Sequence, residues 1–288
     1  MLEYLPATSV VVGIDGSQAA VRAARWAAEK VAGSNIPLRL LYVREQNHTG
    51  KQALATAERA LHEASSAVAT LGKPVKVETQ IVSGSPAPVL IEASGAGALL
   101  CVGGTGTTHP ESDGVGVTAA ELAQSAACSV AVIRSRGNAP VGDGRSIVAL
   151  VSESAENSDV LQMAFQEAQR LNAPLAVISA WESGFNDLQD DRIIDERDRQ
   201  ARTALDRDVA AWMPRYPEVK VQAIAAYGTF LNYLTEHAKT TGWVVISGAH
   251  TGQVRQLVGP AGAHALRSSD FSVLVVRRRD HQIGGRYG

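Results

Sequence analysis

The feature that most narrows the folds open to this chain is a hydrophobic pattern that runs its course twice. Val10, Val11, Val12, Gly13 and Ile14 form a compact, mostly β-branched run, and Asp15, Gly16 and Ser17 after it suit a turn and a helix cap. Residues 19–32 read as an alanine-rich helix stopped by Gly33. Leu38, Leu40, Leu41, Tyr42 and Val43 give a second strand. Leu54, Ala57, Leu61, Ala64, Val68 and Leu71 then recur at steps of three and four, the period of an amphipathic helix. Val75, Val77, Thr79 and Ile81 alternate as a third strand, Gly84 turns the chain, and Pro86 opens a helix where its missing N–H costs nothing. A fourth strand (Leu99, Leu100, Cys101, Val102), a helix from about Thr118 and a fifth strand over residues 130–133 complete the first pass.

The second pass repeats it in order. Strands are predicted over residues 146–151, 175–180, 219–225, 243–247 and 272–276, helices over 158–171 and 192–212, and a turn at Gly228. Corresponding points lie about 140 residues apart, too long for a solenoid and right for a duplicated domain. The division is residues 1–136 and 146–288, joined by a glycine-rich linker at 137–145 that contains Pro140. Strand–helix alternation with buried strands predicts an α/β fold of doubly wound parallel sheets, right-handed in their crossovers. Ligands of such sheets settle beyond the carboxyl ends of the strands.

Composition removes several classes of function. A net charge of −2 over 288 residues offers nothing to nucleic acid or to an anionic membrane. Arg277, Arg278 and Arg279 read as a solvated tail. Two cysteines make no disulfide framework, no CxxC is present, and Cys101 in its apolar strand reads as an inert core thiol. The first residues carry no basic segment followed by a long apolar one, and no apolar run is long enough to cross a bilayer, so a cytoplasmic protein is expected.

The stretch with chemistry in it follows strand four. Gly103, Gly106 and Gly116 space a loop that runs into a helix start. Glycine lets backbone approach a ligand closely, and the free N–H groups and dipole of a helix N-terminus attract phosphate. Asp15 also ends a strand and can share one crevice with this loop. It has two readings, as initiator of the turn with Ser17 or as acceptor for a ribose or amine hydrogen.

Val11-Val12-Gly13-Ile14-Asp15-Gly16-Ser17, the Ser83-Gly84-Ser85-Pro86 turn, and the Gly103/Gly106/Gly116 spacing closing on Cys128-Ser129-Val130-Ala131-Val132 resemble the universal stress protein family in its tandem two-domain form. The resemblance covers nearly the whole chain. It implies five-stranded sheets in the order 3-2-1-4-5, an adenine nucleotide alpha hydrolase-like fold, with strand five pairing between the domains as an intramolecular pseudo-dimer, and it leaves a further homodimer open. It also implies a stress-response regulator with an unidentified protein partner, of which some members bind ATP, AMP or another adenine nucleotide, with or without Mg. Gly13, Ile14 and Asp15 would then border the adenine and ribose, and Val43 would pack on the base. Gly103 and Gly106 would wrap sugar and phosphates, and Gly116, Val117 and Thr118 would supply N–H groups.

One departure from the family pattern matters in the first half. Val117 occupies the place where a Ser or Thr hydroxyl usually meets phosphate, a loss of roughly 1.5–3 kcal/mol, which is about one to two decades of affinity. Glu111 and Asp113 place acid in the same loop, which also carries His109. The second half departs further and reads as a degenerate site. Ser152 stands for Asp15, Ala180 for Val43, and Gly248 to Gly259 for Gly103 to Gly116 at two residues less; Pro260 follows without an N–H, and Gly262, Ala263 and His264 restore nothing. His250 is read as the counterpart of His109. Tyr227, Tyr233 and Trp243 are read as core or domain-interface aromatics.

No Walker loop, dinucleotide fingerprint, GxSxG elbow or HExxH is present, and the seven histidines are scattered. With no nucleophile, base and orienting group together, the expectation is a binding protein and no enzyme, any ATP hydrolysis being slow and incidental. The alternative is an interaction protein of the same fold that binds no nucleotide.

Overall fold

The structure, a computed structural model, describes residues 9–45, 50–106, 115–134, 145–152, 157–181, 191–259, 262 and 269–278. The linker at 137–145, save Arg145, lies outside them, as do His109, Glu111, Asp113, Pro260, Ala263, His264 and Arg279. The first half comprises β1 (Ser9–Ile14), α1 (Gln18–Val31), β2 (Leu38–Arg44), α2 (Lys51–Ala69), β3 (Val77–Ser83), α3 (Pro86–Ser94), β4 (Gly97–Gly103), α4 (Val117–Ser125) and β5 (Ser129–Ile133). The second comprises β6 (Ser146–Val151), α5 (Asn157–Leu171), β7 (Leu175–Trp181), α6 (Asp191–Ala210), β8 (Val221–Tyr227), α7 (Phe230–Glu236), β9 (Thr241–Ser247), α8 (Thr251–Val258) and β10 (Ser272–Val276).

Local chemistry explains where these elements start and stop. Ser17 caps α1 by accepting from the Ala20 N–H at 3.1 Å. Gly33, at φ 76°, takes the left-handed conformation that releases the chain from α1. Pro86 opens α3. Among the described residues no helix is long and apolar enough to cross a membrane.

The ten strands of the described residues form one sheet, ordered β3-β2-β1-β4-β5-β10-β9-β6-β7-β8. Every pairing is parallel except that of β5 with β10, which is antiparallel. Strands buried on both faces carry near-continuous apolar runs, and β5 and β10 are buried along their whole length. One core layer lies under α1, α2, α5 and α6 and the other under α3, α4, α7 and α8.

Register makes the correspondence between halves residue-specific. Val10 pairs with Leu99 and with Leu38, as Ile147 pairs with Trp243 and with Leu175. Asp15 therefore corresponds to Ser152, Val43 to Ala180, and Gly103 to Ser247.

The basic run after the last strand is not a solvated tail as far as Arg277 is concerned. Its guanidinium reaches the C-terminal end of α4 and donates from Nη2 to the carbonyls of Ala123 at 2.9 Å and Gln124 at 2.8 Å. A cation there satisfies helix carbonyls that have no intrahelical donor. Arg278 is exposed, 3.6 Å from Asp159.

Candidate functional site

In the first half the carboxyl ends of β1, β2 and β4 lie side by side, the edge at which a ligand crevice is expected. Asp15, just past β1, is exposed, and the structure shows it in the first of its readings, holding the turn. Its Oδ1 accepts from the Ser17 N–H at 2.9 Å, holding the turn into α1. Its Oδ2 faces Gly106, where an added Cβ would stand 3.2 Å from it. The Tyr42 phenol at the end of β2 is held above its ordinary range by burial and then by the Asp15 and Glu45 carboxylates.

The glycines of the loop do different work. A Cβ on Gly103 would lie 2.8 Å from the backbone carbonyl carbon and Cβ of Ala19 and the N of Ala20, so this glycine lets β4 approach the first turn of α1. That requirement is internal to the protein. The Gly104 N–H donates to the Ile133 carbonyl and the Gly116 N–H to the Gly104 carbonyl, both at 2.7 Å. The Gly116 amide, expected to face a ligand, is therefore engaged, and it clamps the two ends of the loop together.

Free donors begin one residue later. Gly116 is the N-cap of α4, and no side chain caps that helix. The N–H groups of Val117, Thr118 and Ala119 have no acceptor among the described residues. The Val117 side chain is 85% exposed at the first helical position, so it adds an apolar surface to the site and no donor.

Of the remaining expected residues, Gly13 and Val43 face the α3 side of the sheet. A Cβ on Gly13 would come within 3.1 Å of Leu90 and Val102, while Val43 is half-buried and packs beside the same layer. Ile14 faces the opposite layer and is buried among α1 and α2 core residues. Strand alternation puts it there, and only its backbone borders the crevice.

The second half departs from the sequence reading in kind. No long loop follows β9: α8 begins at Thr251, and Gly259 ends that helix, its N–H donating to the Arg255 carbonyl at 2.9 Å. Gly259 thus cannot stand for Gly116. Gly248 is shifted too. It is the counterpart of Gly104, its N–H donating to Val276 at 2.7 Å, and the Arg277 side chain lies over its Cα as Arg134 lies over Gly104.

By the same count His250 corresponds to Gly106 and not to His109. Its Nε2 sits 2.8 Å from Ser152 Oγ. Ser152 also gives its N–H to Asn157 Oδ1 at 3.1 Å and receives the Asn157 amide at its carbonyl. Serine and imidazole therefore meet where the first half leaves a carboxylate facing a glycine. Ala180, half-buried at the end of β7, offers no polar contact.

Comparison with known proteins places this geometry. The Universal stress protein family model matches residues 7–134. A universal stress protein of Mycobacterium tuberculosis is 41% identical over 276 residues, covering 93% of this chain and 95% of its own length.

The chain belongs to the universal stress protein family.

A second Mycobacterium tuberculosis member is 37% identical over 274 residues, covering 94% of this chain and 96% of its own. The crystal structure of a universal stress protein from Archaeoglobus fulgidus superposes with a TM-score of 0.66 at 16% identity, over 96% of this chain and 98% of that one; the likeness is one of fold. Tyr233 and Trp243, predicted as core or interface aromatics, sit respectively against His237, with ring centroids 4.1 Å apart, and against Trp26 of the other half, at 5.1 Å.

Proposed function

We propose that this universal stress protein is a two-domain regulator, residues 1–136 and 146–288 joined by 137–145, whose first domain binds an adenine nucleotide and whose second does not. The observation that carries the reading is the uncapped first turn of α4, with the amides of Val117, Thr118 and Ala119 open next to Gly116, which lies against Gly106, the glycine that faces the Asp15 carboxylate. Open amides at a helix N-terminus fit a phosphate, and a carboxylate at the adjacent strand end fits the hydroxyls of a sugar. Gly13 and Val43 border the crevice where a base would lie. The pairing of Ser152 with His250 supports the asymmetry between domains, because those polar groups already satisfy one another. The protein acts by binding and catalyses nothing beyond slow hydrolysis of what it holds, in the cytoplasm, and the state of the crevice biases a protein partner.

Calorimetric titration of the whole chain with ATP and a divalent cation tests this reading. Binding is expected at one site per chain, and Gly106→Asp removes it by setting bulk and negative charge against Asp15 and the phosphates. Absence of both heat and thermal shift in the unmodified protein would overturn it, leaving a protein-interaction module of the same fold. The exposed Val117 at the head of α4 favours that second reading, since it presents an apolar group where a phosphate contact is wanted.

A further inference from the structure

The joint between the two halves of the sheet carries a charge arrangement for which the crevice has no use. Strands β5 and β10 pair with Ala131 opposite Leu274, flanked by Val132 opposite Val273 and Val130 opposite Val275. The registers of β4 with β5 and of β9 with β10 make Ala131 and Leu274 equivalent residues. A twofold relation therefore passes between them. Hydrogen bonds obey it: Ser129 Oγ accepts from the Arg277 N–H at 3.0 Å, and the equivalent Ser272 Oγ accepts from the equivalent Arg134 N–H at 3.1 Å.

Helices α1 and α5 meet beside this axis. The segments from Val10 to Leu38 and from Ile147 to Leu175 have equal length, so the helices align without a gap. Ala23, Ala24, Ala27 and Ala28 fall on Val160, Leu161, Ala164 and Phe165, all buried. In that alignment Lys30 falls on Glu167, and these two side chains form an ion pair across the axis. Glu167 is fully buried, and its Oε2 also accepts from Arg170 Nη2 at 2.9 Å. Arg170 in turn reaches back to Glu29 of α1. Burial, and then Arg170, draw the Lys30 ammonium down to about 8, which leaves it cationic at neutral pH. Beside the pair, Trp26 of α1 stacks on Trp243 of β9, whose equivalents in the opposite halves are Met163 and Leu99.

We propose that Lys30 and Glu167 determine which half can pair with which, so that each half accepts across strand five a partner of opposite charge at this position and rejects a copy of itself. Two first halves would set Lys30 against Lys30 and replace the tryptophan stack by Trp26 against Leu99. Two second halves would bring two buried carboxylates to the axis, each with only the Arg170 of its own helix. An ion pair in a buried place is weak evidence for stability and is best attested as a device of register and partner choice. Like charges facing each other in such a place act against the wrong partner.

The test uses the full chain with a protease site inserted between Pro140 and Val141, cleaved after folding. Isotopically labelled and unlabelled samples are mixed in mild urea, and the re-paired species are counted by native mass spectrometry. The wild type is expected to return first-with-second pairs, with like-with-like pairs at least about tenfold rarer. K30M/E167M is expected to keep its melting temperature and to yield both like-with-like species. K30E/E167K is expected to restore the wild-type distribution, and it serves where K30E alone fails to fold. Selectivity undiminished in K30M/E167M, or not restored by the charge swap, would overturn the proposal, and neither result touches the nucleotide reading.

Discussion

Gly103→Ala and Gly106→Ala, two single-methyl additions to one loop, should have opposite consequences. At Gly103 the new Cβ would meet three atoms of the first turn of α1 at 2.8 Å, two of them backbone, well inside ordinary van der Waals contact. Helix α1 is fixed by a row of buried alanines against β4 and cannot retreat without opening the core. Overpacking of this kind costs about 1–3 kcal/mol. The stiffer unfolded chain offsets about 0.4–1 kcal/mol of it. The net loss is about 1–2 kcal/mol, or roughly 2–8 °C in melting temperature for a chain of this size. At Gly106 the only close neighbour among the described residues is Asp15 Oδ2 at 3.2 Å, an exposed group that can turn, so stability should move by less than about 0.5 kcal/mol. The effect there should fall on nucleotide affinity, because the methyl group displaces the carboxylate. The assay is thermal unfolding of both variants with and without ATP. A Gly103→Ala protein as stable as wild type but unable to bind would refute the assignment of Gly103 to packing.

Three further outcomes follow from the same geometry. Val117→Ser places a hydroxyl at the first position of α4, where the valine is exposed and supports nothing; affinity for ATP measured by calorimetry should rise about tenfold, one charged-group hydrogen bond. Asp15→Ala should weaken ATP binding, whereas Ser152→Ala should leave it unchanged and lose only the contact with His250, so equal effects on binding would contradict the asymmetry. The Cys101 thiol is fully buried, and burial raises it well above the ordinary thiol range, so it should resist thiol reagents in the folded protein and react on unfolding.

Much of this was legible in the sequence, because strand and helix periods are local properties of the chain. The runs at 10–14 and 146–151, the Ser17 cap, the Gly33 stop and the Pro86 start each follow from residues within one turn of one another. The neighbourhood of Asp15 and Gly106, the candidate site, was legible in outline for the same reason: both lie at strand ends that the alternation of elements already brings together. What the sequence could not reveal was which partner each group would find. That Gly103 is small for the sake of Ala19 is a contact between segments far apart in the chain, and that Gly116 spends its amide on Gly104 depends on how the intervening loop closes; the helix over 251–258 is local, and reading the glycine spacing as a loop concealed it.

The same division explains Glu167. On its own helix it reads as one more polar residue, and nothing near it in the chain announces a buried charge. Only the docking of α1 on α5, an event between residues separated by more than a domain's width of sequence, sets Lys30 over it and gives the carboxylate a reason to leave water. Periodicity determined the elements and their order; the antiparallel meeting of β5 and β10 decided which charges would face each other, because only tertiary contact brings opposite ends of the chain within the reach of a side chain.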